Sequence, residues 1–448
     1  MAGGTAARTG HASRLPDRYR GVLVMTFSGS PLRQRALRVA LDVRMPRSQW
    51  GGVQQLAQGL AQGMSGLSGD DEYLFLGYPD AVSWLDPLLA GRARRVEVPP
   101  AHGRSGRRRL YDALVARSPS VASAAGRIAG SLGRSVLSIP NSDGLLESLG
   151  VDVVHFVTPQ AYRTGVPSLY QPLDLLHVHV PEQFSTLHRH YRETAYRTFC
   201  EQAVVVASMT SWGREDLANH FGIDLNRIAV VPLPPVNASP ETGAEQHTGR
   251  LTERYLLYPA QTWPHKNHLG LLEALAILRD RNLEVRIVFT GRKTEHFRAI
   301  ARRVEELRLE GRVAFLGYVD DTELRELYRR ATGLVFPSRF EGWGLPIVEA
   351  FASGIPVACS DISVLREVAG DAVAYFDPAD GTSMADAIAR IWTDDGLCEA
   401  LRRAGHERVR HLTWDRAART YRALYRRIAG VELTDEARWL LQPPTLIA

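Results

Sequence analysis

The amino-acid sequence predicts an α/β protein made of two doubly wound domains whose parallel sheets face a common cleft. Three observations carry that expectation. Short apolar, β-branched runs alternate with amphipathic helical stretches, the pattern of parallel strands covered by helices on both faces. The alternation breaks once, at the polar stretch NASPETGAEQHTGR (237–250), and then restarts. The chain's 448 residues also exceed what a single hydrophobic core ordinarily fills.

In chain order, residues 1–35 are rich in Gly, Ala and Arg and read as a flexible tail without the apolar centre of a signal peptide. The first domain, expected over 36–245, holds strands at RVALDV (38–43), EYLFLGY (72–78), VDVVHFV (151–157), AVVVASM (203–209) and IAVVPL (228–233). The second, expected over 250–412, holds YLLYPA (255–260), EVRIVFTG (284–291), VAFLGYV (313–319), GLVFPS (333–338), PVACSD (356–361) and AVAYFDP (372–378). Helical patterns lie between them, at 267–281, 294–309 and 321–330. A last helix is expected in TWDRAARTYRALYRRIAG (413–430). In such sheets ligands bind where the strands end, so the turns after strands are the places to seek chemistry.

Composition narrows the function. A 45% hydrophobic and 23% charged chain with a net charge of +5 is an ordinary soluble protein. Cys200, Cys359 and Cys398 form neither a disulfide framework nor a zinc spacing, which points to a reducing cytoplasm. No apolar run reaches the roughly 20 residues of a membrane span. Eight arginines between 92 and 117 read either as a solvated loop and helix face or as a contact for an anionic membrane surface. No aromatic residues interleave them as a base-stacking groove requires, which argues against nucleic acid. Neither G-x-G-x-x-G nor a Walker-type loop follows any strand, which argues against nicotinamide and P-loop chemistry.

The segment FPSRFEGWGLPIVEAFASGIPV (336–357) carries the functional signal. It reads as a strand, a glycine-rich turn (Gly342, Trp343, Gly344) and a helix whose first turn takes Leu345 and Pro346. The free N–H groups and dipole of that helix start suit an anion. Glu341 and Glu349 would repel the same anion, yet they are good acceptors for vicinal hydroxyls. A ligand with both phosphate and sugar hydroxyls resolves the conflict, and a nucleotide-activated sugar is such a ligand. The bland alternative makes them a loop charge and a helix-start charge.

EGWGLPIVEA followed by ASGIPVACSD resembles the E-x7-E signature of retaining glycosyltransferases with the GT-B fold, the glycosyl transferases group 1 family that includes sucrose synthases and bacterial mannosyltransferases. The resemblance runs over about 36–430 and is strongest over 255–378. It implies that Glu341 contacts the donor sugar and Glu349 the ribose. It implies that Lys266, in YPAQTWPHKNHLGLLEAL (258–275), reaches the diphosphate. Gln261 stands where the family often has a second basic residue, and Arg292 and Lys293 are candidates to compensate. Tyr318 and Val319 border the nucleobase by the same comparison, and Gly51 and Gly52 approach the ligand from the first domain.

In SLYQPLDLLHVHVPEQFSTLHRHYRE (168–193), Asp174, Leu175 and His177 match the family's run, but Leu173 occupies the usual histidine position. Either His177 or His179 substitutes, or the reaction runs without it, or activity is lost. On a strand, His177 and His179 would share a face and suit a metal-dependent hydrolase, but the further ligands are not evident. The resemblance also implies that the last helix, within 413–448, crosses back onto the first domain with Trp414 as anchor, and that no metal or other cofactor is needed.

The expected activity is retaining transfer of a sugar, mannose by resemblance, from a nucleoside diphosphate to a sugar, lipid-linked or small-molecule acceptor in bacterial polysaccharide or glycoconjugate synthesis. The expected place is the cytoplasm, including the inner face of the membrane. The alternatives are a non-catalytic sugar-nucleotide-binding subunit and a GT-B sugar-nucleotide epimerase.

Overall fold

Most strands inside the two sheets are short and buried on both faces, so each sheet has to be covered by helices on its two sides. The computed structural model describes residues 35–45, 51–79, 83–98, 139–236 and 253–442. Residues 1–34 of the expected tail, the linker 237–250 and the arginines beyond residue 98 lie outside these described residues.

The first sheet contains β1 (Arg38–Asp42), β2 (Glu72–Gly77), β3 (Ala93–Glu97), β4 (Val153–Phe156), β5 (Ser168–Tyr170), β6 (Val205–Ser208) and β7 (Ile228–Val230). Its order is β3-β2-β1-β4-β5-β6-β7, and every pairing is parallel. The second contains β8 (Leu256–Pro259), β9 (Ile287–Thr290), β10 (Val313–Gly317), β11 (Gly333–Phe336), β12 (Val357–Ser360) and β13 (Ala374–Phe376). Its order is β10-β9-β8-β11-β12-β13, again all parallel. The order therefore reverses between β1 and β4 in one sheet and between β8 and β11 in the other, and each reversal opens a crevice at the strands' carboxyl ends.

The helices that carry the argument are α1 (Gly52–Ser65), α2 (Thr186–Gln202) and α3 (Ser211–Phe221) in the first half. In the second half they are α4 (His268–Asp280), α5 (Phe297–Glu306), α6 (Asp321–Arg330), α7 (Leu345–Ala352) and α8 (Ser363–Ala369). The last is α9 (Trp414–Ile428).

Two strands depart from the sequence reading. β3 falls in the arginine-rich stretch: it is an edge strand, with Arg94 and Glu97 facing outward and Arg95 paired with Asp86 and Glu97. β5 is only three residues long, too short to show a period.

Helix α9 packs on the first domain. The Trp414 ring lies where a Cβ on Gly59 of α1 would come within 1.9 Å of it, and its indole N–H donates to the Pro235 carbonyl at 3.0 Å. Further along, Tyr425 Oη meets His155 Nδ1 at 2.8 Å, while the Tyr421 hydroxyl donates to Gln171 Oε1 at 3.1 Å. His155 Nε2 lies 3.2 Å from the same Gln171 oxygen. Burial depresses the His155 pKa to about 3, so the imidazole is neutral and this network joins helix to sheet without a buried charge. Arg426 adds a two-oxygen contact to Asp71 at 2.9 Å.

Candidate active site

The β8/β11 reversal explains how residues 75 positions apart meet. Because β8 and β11 are neighbours, the turns that leave them run side by side. The first turn carries Pro264–Lys266 as a short 3-10 segment, fixed by the Tyr258 hydroxyl donating to the Lys266 carbonyl at 2.6 Å. The second carries Glu341. Lys266 Nζ donates to Glu341 Oε1 at 2.6 Å, with side chains only 20% and 12% exposed, and the ammonium also lies 5.8 Å from the Phe336 ring centre. Two opposite charges are thus held together at the crevice where this fold binds ligands.

Two glycines make the turn possible. At Gly342 a Cβ would stand 2.5 Å from the Leu173 carbonyl oxygen and 3.1 Å from Asp174 Cβ, so the second domain's turn touches the first. At Gly344, φ is +104°, a conformation that disfavours any side chain, and the residue caps the start of α7. Trp343 is buried in the core, Leu345 opens α7, and Pro346 occupies the first turn as expected.

Glu349 sits one turn along α7. Its Oε2 accepts from the Tyr328 hydroxyl of α6 and its Oε1 from Gln55 Nε2 of α1, each at 2.7 Å. Burial raises its pKa to about 7, outweighing the two hydrogen bonds that favour the ionised form. Glu349 is therefore a carboxylate with both oxygens engaged and its charge poised near neutral pH.

The first domain supplies the facing wall. Leu173 has φ +71°, an uncommon backbone conformation for a bulky side chain. Next to it Asp174 accepts from the Leu176 amide at 3.0 Å and lies 3.8 Å from Arg192. Burial raises the Asp174 pKa; the Arg192 and Lys266 charges act to lower it and Glu341 to raise it, which places Asp174 within electrostatic reach of the Lys266–Glu341 pair. Gly51 approaches Gln261: an added Cβ would be 3.3 Å from Gln261 Nε2. Gln261 Oε1 accepts from the Trp263 indole at 3.0 Å. Because an indole N–H can only donate, this bond fixes which end of the amide is oxygen and turns the N–H₂ end toward Gly51. Gly52 is exposed at the start of α1, and Arg292 and Lys293 are exposed after β9. Tyr318 is 57% exposed beyond β10, whereas Val319 is buried.

The histidines occupy other places. His177 and His179 lie in a one-turn helix, Leu176–His179, rather than on a strand, because the Asp174 carboxylate caps the Leu176 amide and starts a helical turn. His177 is buried against Tyr196 with Nε2 3.4 Å from Glu193, and burial lowers its pKa to about 4. It makes no described contact with Lys266 or Glu341. His179 bonds Asp216 at 2.9 Å and stacks on Phe340 of the second domain, ring centres 5.0 Å apart. Among the described residues no group of three or more His, Cys, Asp or Glu side chains is placed to hold a metal ion.

Several site residues were not readable from the sequence. Gln55, Gln58, Tyr328 and Trp263 carry no motif, and the signal that could have found Gln55 is its place in the first turn after Gly51-Gly52. Other contacts across the cleft are His265 Nδ1 to Gln183 Oε1 at 2.9 Å, and Glu367 of α8, which accepts from the Ser211 and Trp212 amides that start α3 at 2.6 and 2.8 Å.

Comparison with known proteins bears on the fold and on the second half of the chain. Residues 241–408 match the family model of glycosyl transferases group 1. The chain is 29% identical over 232 residues to O-antigen chain mannosyltransferase B of Escherichia coli, covering 50% of this chain and 61% of that protein. It is 34% identical over 179 residues to O-antigen chain mannosyltransferase RfbU of Salmonella typhimurium, covering 40% and 48%. The chain thus spans about half the length of these curated relatives. Among solved structures it resembles Anabaena Alr3699/HepE in complex with UDP and glucose, at TM-score 0.61 and 15% identity over 87% of this chain and 99% of that one. It resembles the Thermosynechococcus elongatus sucrose-phosphate synthase at TM-score 0.61 and 20% identity, over 88% and 99%. The likenesses to solved structures show the GT-B fold, and the family match is confined to residues 241–408. Among the described residues no helix is long and apolar enough to cross a membrane.

Proposed function

We propose that this protein is a retaining glycosyltransferase that moves a sugar from a nucleoside diphosphate to an acceptor hydroxyl. The observation that carries the reading is the Lys266–Glu341 pair at the β8/β11 crevice, with the buried Glu349 one helical turn away. Lys266 has three N–H donors, so it can hold Glu341 and a diphosphate oxygen together, and its charge stabilises the leaving diphosphate. The α7 amides at Leu345 and beyond add a positive dipole end. Glu341 orients the sugar hydroxyls, Glu349 takes the ribose, and the exposed Tyr318 faces the base. In this account positive charge comes from the protein, and no metal is assigned a role. A leaving-phosphate oxygen takes the acceptor proton on the same face of the sugar, with Asp174 placed to orient the acceptor. His177, buried against Tyr196 and Glu193, is assigned no direct contact with the donor.

The O-antigen chain mannosyltransferase relatives favour mannose as the sugar and a growing polysaccharide chain as acceptor. The UDP-bound neighbours favour a nucleotide-sugar donor without fixing the base. A second reading, a non-catalytic sugar-nucleotide-binding subunit, is favoured by Leu173 and Gln261 at positions where the family pattern has histidine and a basic residue. The test is release of nucleoside diphosphate from a panel including GDP-mannose and UDP-glucose, with and without glycan acceptors. Acceptor-dependent release from one donor supports transfer. Donor binding without release favours the subunit, and binding of no donor refutes both.

A further inference from the structure

Helix α1 reaches over the cleft with two neutral amides. Gln55 and Gln58 are three residues apart and share a helix face. Gln55 Nε2 donates to Glu349 Oε1 at 2.7 Å, and Gln58 Nε2 donates to Asp321 Oδ2 at 2.9 Å. Both acceptors belong to the second domain. The two oxygens of Glu349 are therefore held differently. Oε2 is tied within its own domain by the buried Tyr328, and Oε1 is tied to the opposite domain, so only the second bond changes when the domains part.

We propose that Gln55 sets donor affinity by competing with the donor for Glu349: its carboxamide takes the acceptor site that a donor hydroxyl would use, and donor binding exchanges one bond for the other while freeing α1. This rests on the reading of Glu349 as a hydroxyl acceptor. The chemistry suits an exchange. A neutral amide N–H and a sugar O–H are donors of similar strength to a carboxylate, whereas a lysine at position 55 would form an ion pair that a hydroxyl could not displace. The clasp is also imperfect: among the described residues Gln58 Oε1 is buried with no hydrogen-bond partner, a cost that opening removes.

The test uses the full chain as wild type, Gln55→Ala and Glu349→Ala. GDP and UDP are titrated into each by calorimetry, and small-angle scattering is recorded without nucleotide. The proposal expects Gln55→Ala to bind the preferred nucleotide about threefold to tenfold more tightly, by removing the competing bond, and to show a larger radius of gyration. Weaker binding in Gln55→Ala would make Gln55 a ligand contact and overturn the proposal. Unchanged affinity with unchanged scattering would overturn it too. Loss of binding in Glu349→Ala upholds the reading of Glu349 even if the Gln55 arm fails. Full binding in Glu349→Ala, or no nucleotide bound by any form, defeats that reading and this proposal together.

Discussion

Replacing Glu349 by glutamine isolates the cost of burying its charge. The folded protein holds this carboxyl's pKa at about 7 against an ordinary 4.5, with burial the largest cause. The folded state therefore keeps a proton that the unfolded chain gives up between pH 4.5 and 7. Stability is present at low pH and is lost as pH rises through that window. Between pH 5 and 8 the loss comes to about 2–3 kcal/mol. Glutamine keeps the shape and stays neutral: its carbonyl can accept from Gln55, and its N–H₂ can donate to the Tyr328 hydroxyl, which accepts as well as donates. Urea unfolding of wild type and Glu349→Gln at pH 5, 6, 7 and 8 measures the difference directly. Wild type should lose about 2–3 kcal/mol relative to the variant across that range. A difference constant to within about 0.5 kcal/mol would refute the reasoning, because a carboxylate ionised throughout has no titration to lose.

Three further predictions test separate parts of the structure. Lys266→Ala should weaken nucleoside diphosphate binding about tenfold to a hundredfold, the worth of one charge-assisted contact, and calorimetry showing unchanged affinity would remove Lys266 from the diphosphate site. Gly59→Val should drive the α1 backbone off the Trp414 ring and cost about 3 kcal/mol or more in urea unfolding, whereas Gly52→Ala, with nothing within 4 Å of the added Cβ, should cost far less. Tyr425→Phe leaves the buried His155 Nδ1 without its partner and should lower stability by about 1–3 kcal/mol with the fold retained; an unaffected melting temperature would contradict the network joining α9 to the sheet.

What the sequence reveals, and what it hides, follows from physics that can be named. The strands of the second half are legible because a strand covered on both faces is a continuous apolar run, and β8, β11 and β12 are such runs. β3 is hidden because an edge strand tolerates arginines on its open face. The turn at Gly342 and Gly344 is legible because its glycines answer a close approach and a positive φ. The partners of the two glutamates are not: Gln55 and Glu349 are 294 residues apart, and only the docking of two domains brings them together. Tyr328 reads as one more apolar position of an amphipathic helix, and its hydroxyl gains meaning only beside Glu349. His177 and His179 show how a period misleads. Alternation suggests one face of a strand, but the capping carboxylate of Asp174 winds the segment into a helical turn.

The most direct measurement of the central claim is a crystal structure of the protein soaked with the nucleotide sugar that stabilises it most. The account predicts a diphosphate within hydrogen-bond distance of Lys266 Nζ and the first amides of α7, sugar hydroxyls on Glu341, and ribose hydroxyls on Glu349 in place of Gln55. A nucleotide bound elsewhere, or one in the crevice with Glu349 still paired to Gln55 and Glu341 turned away from the sugar, would contradict it.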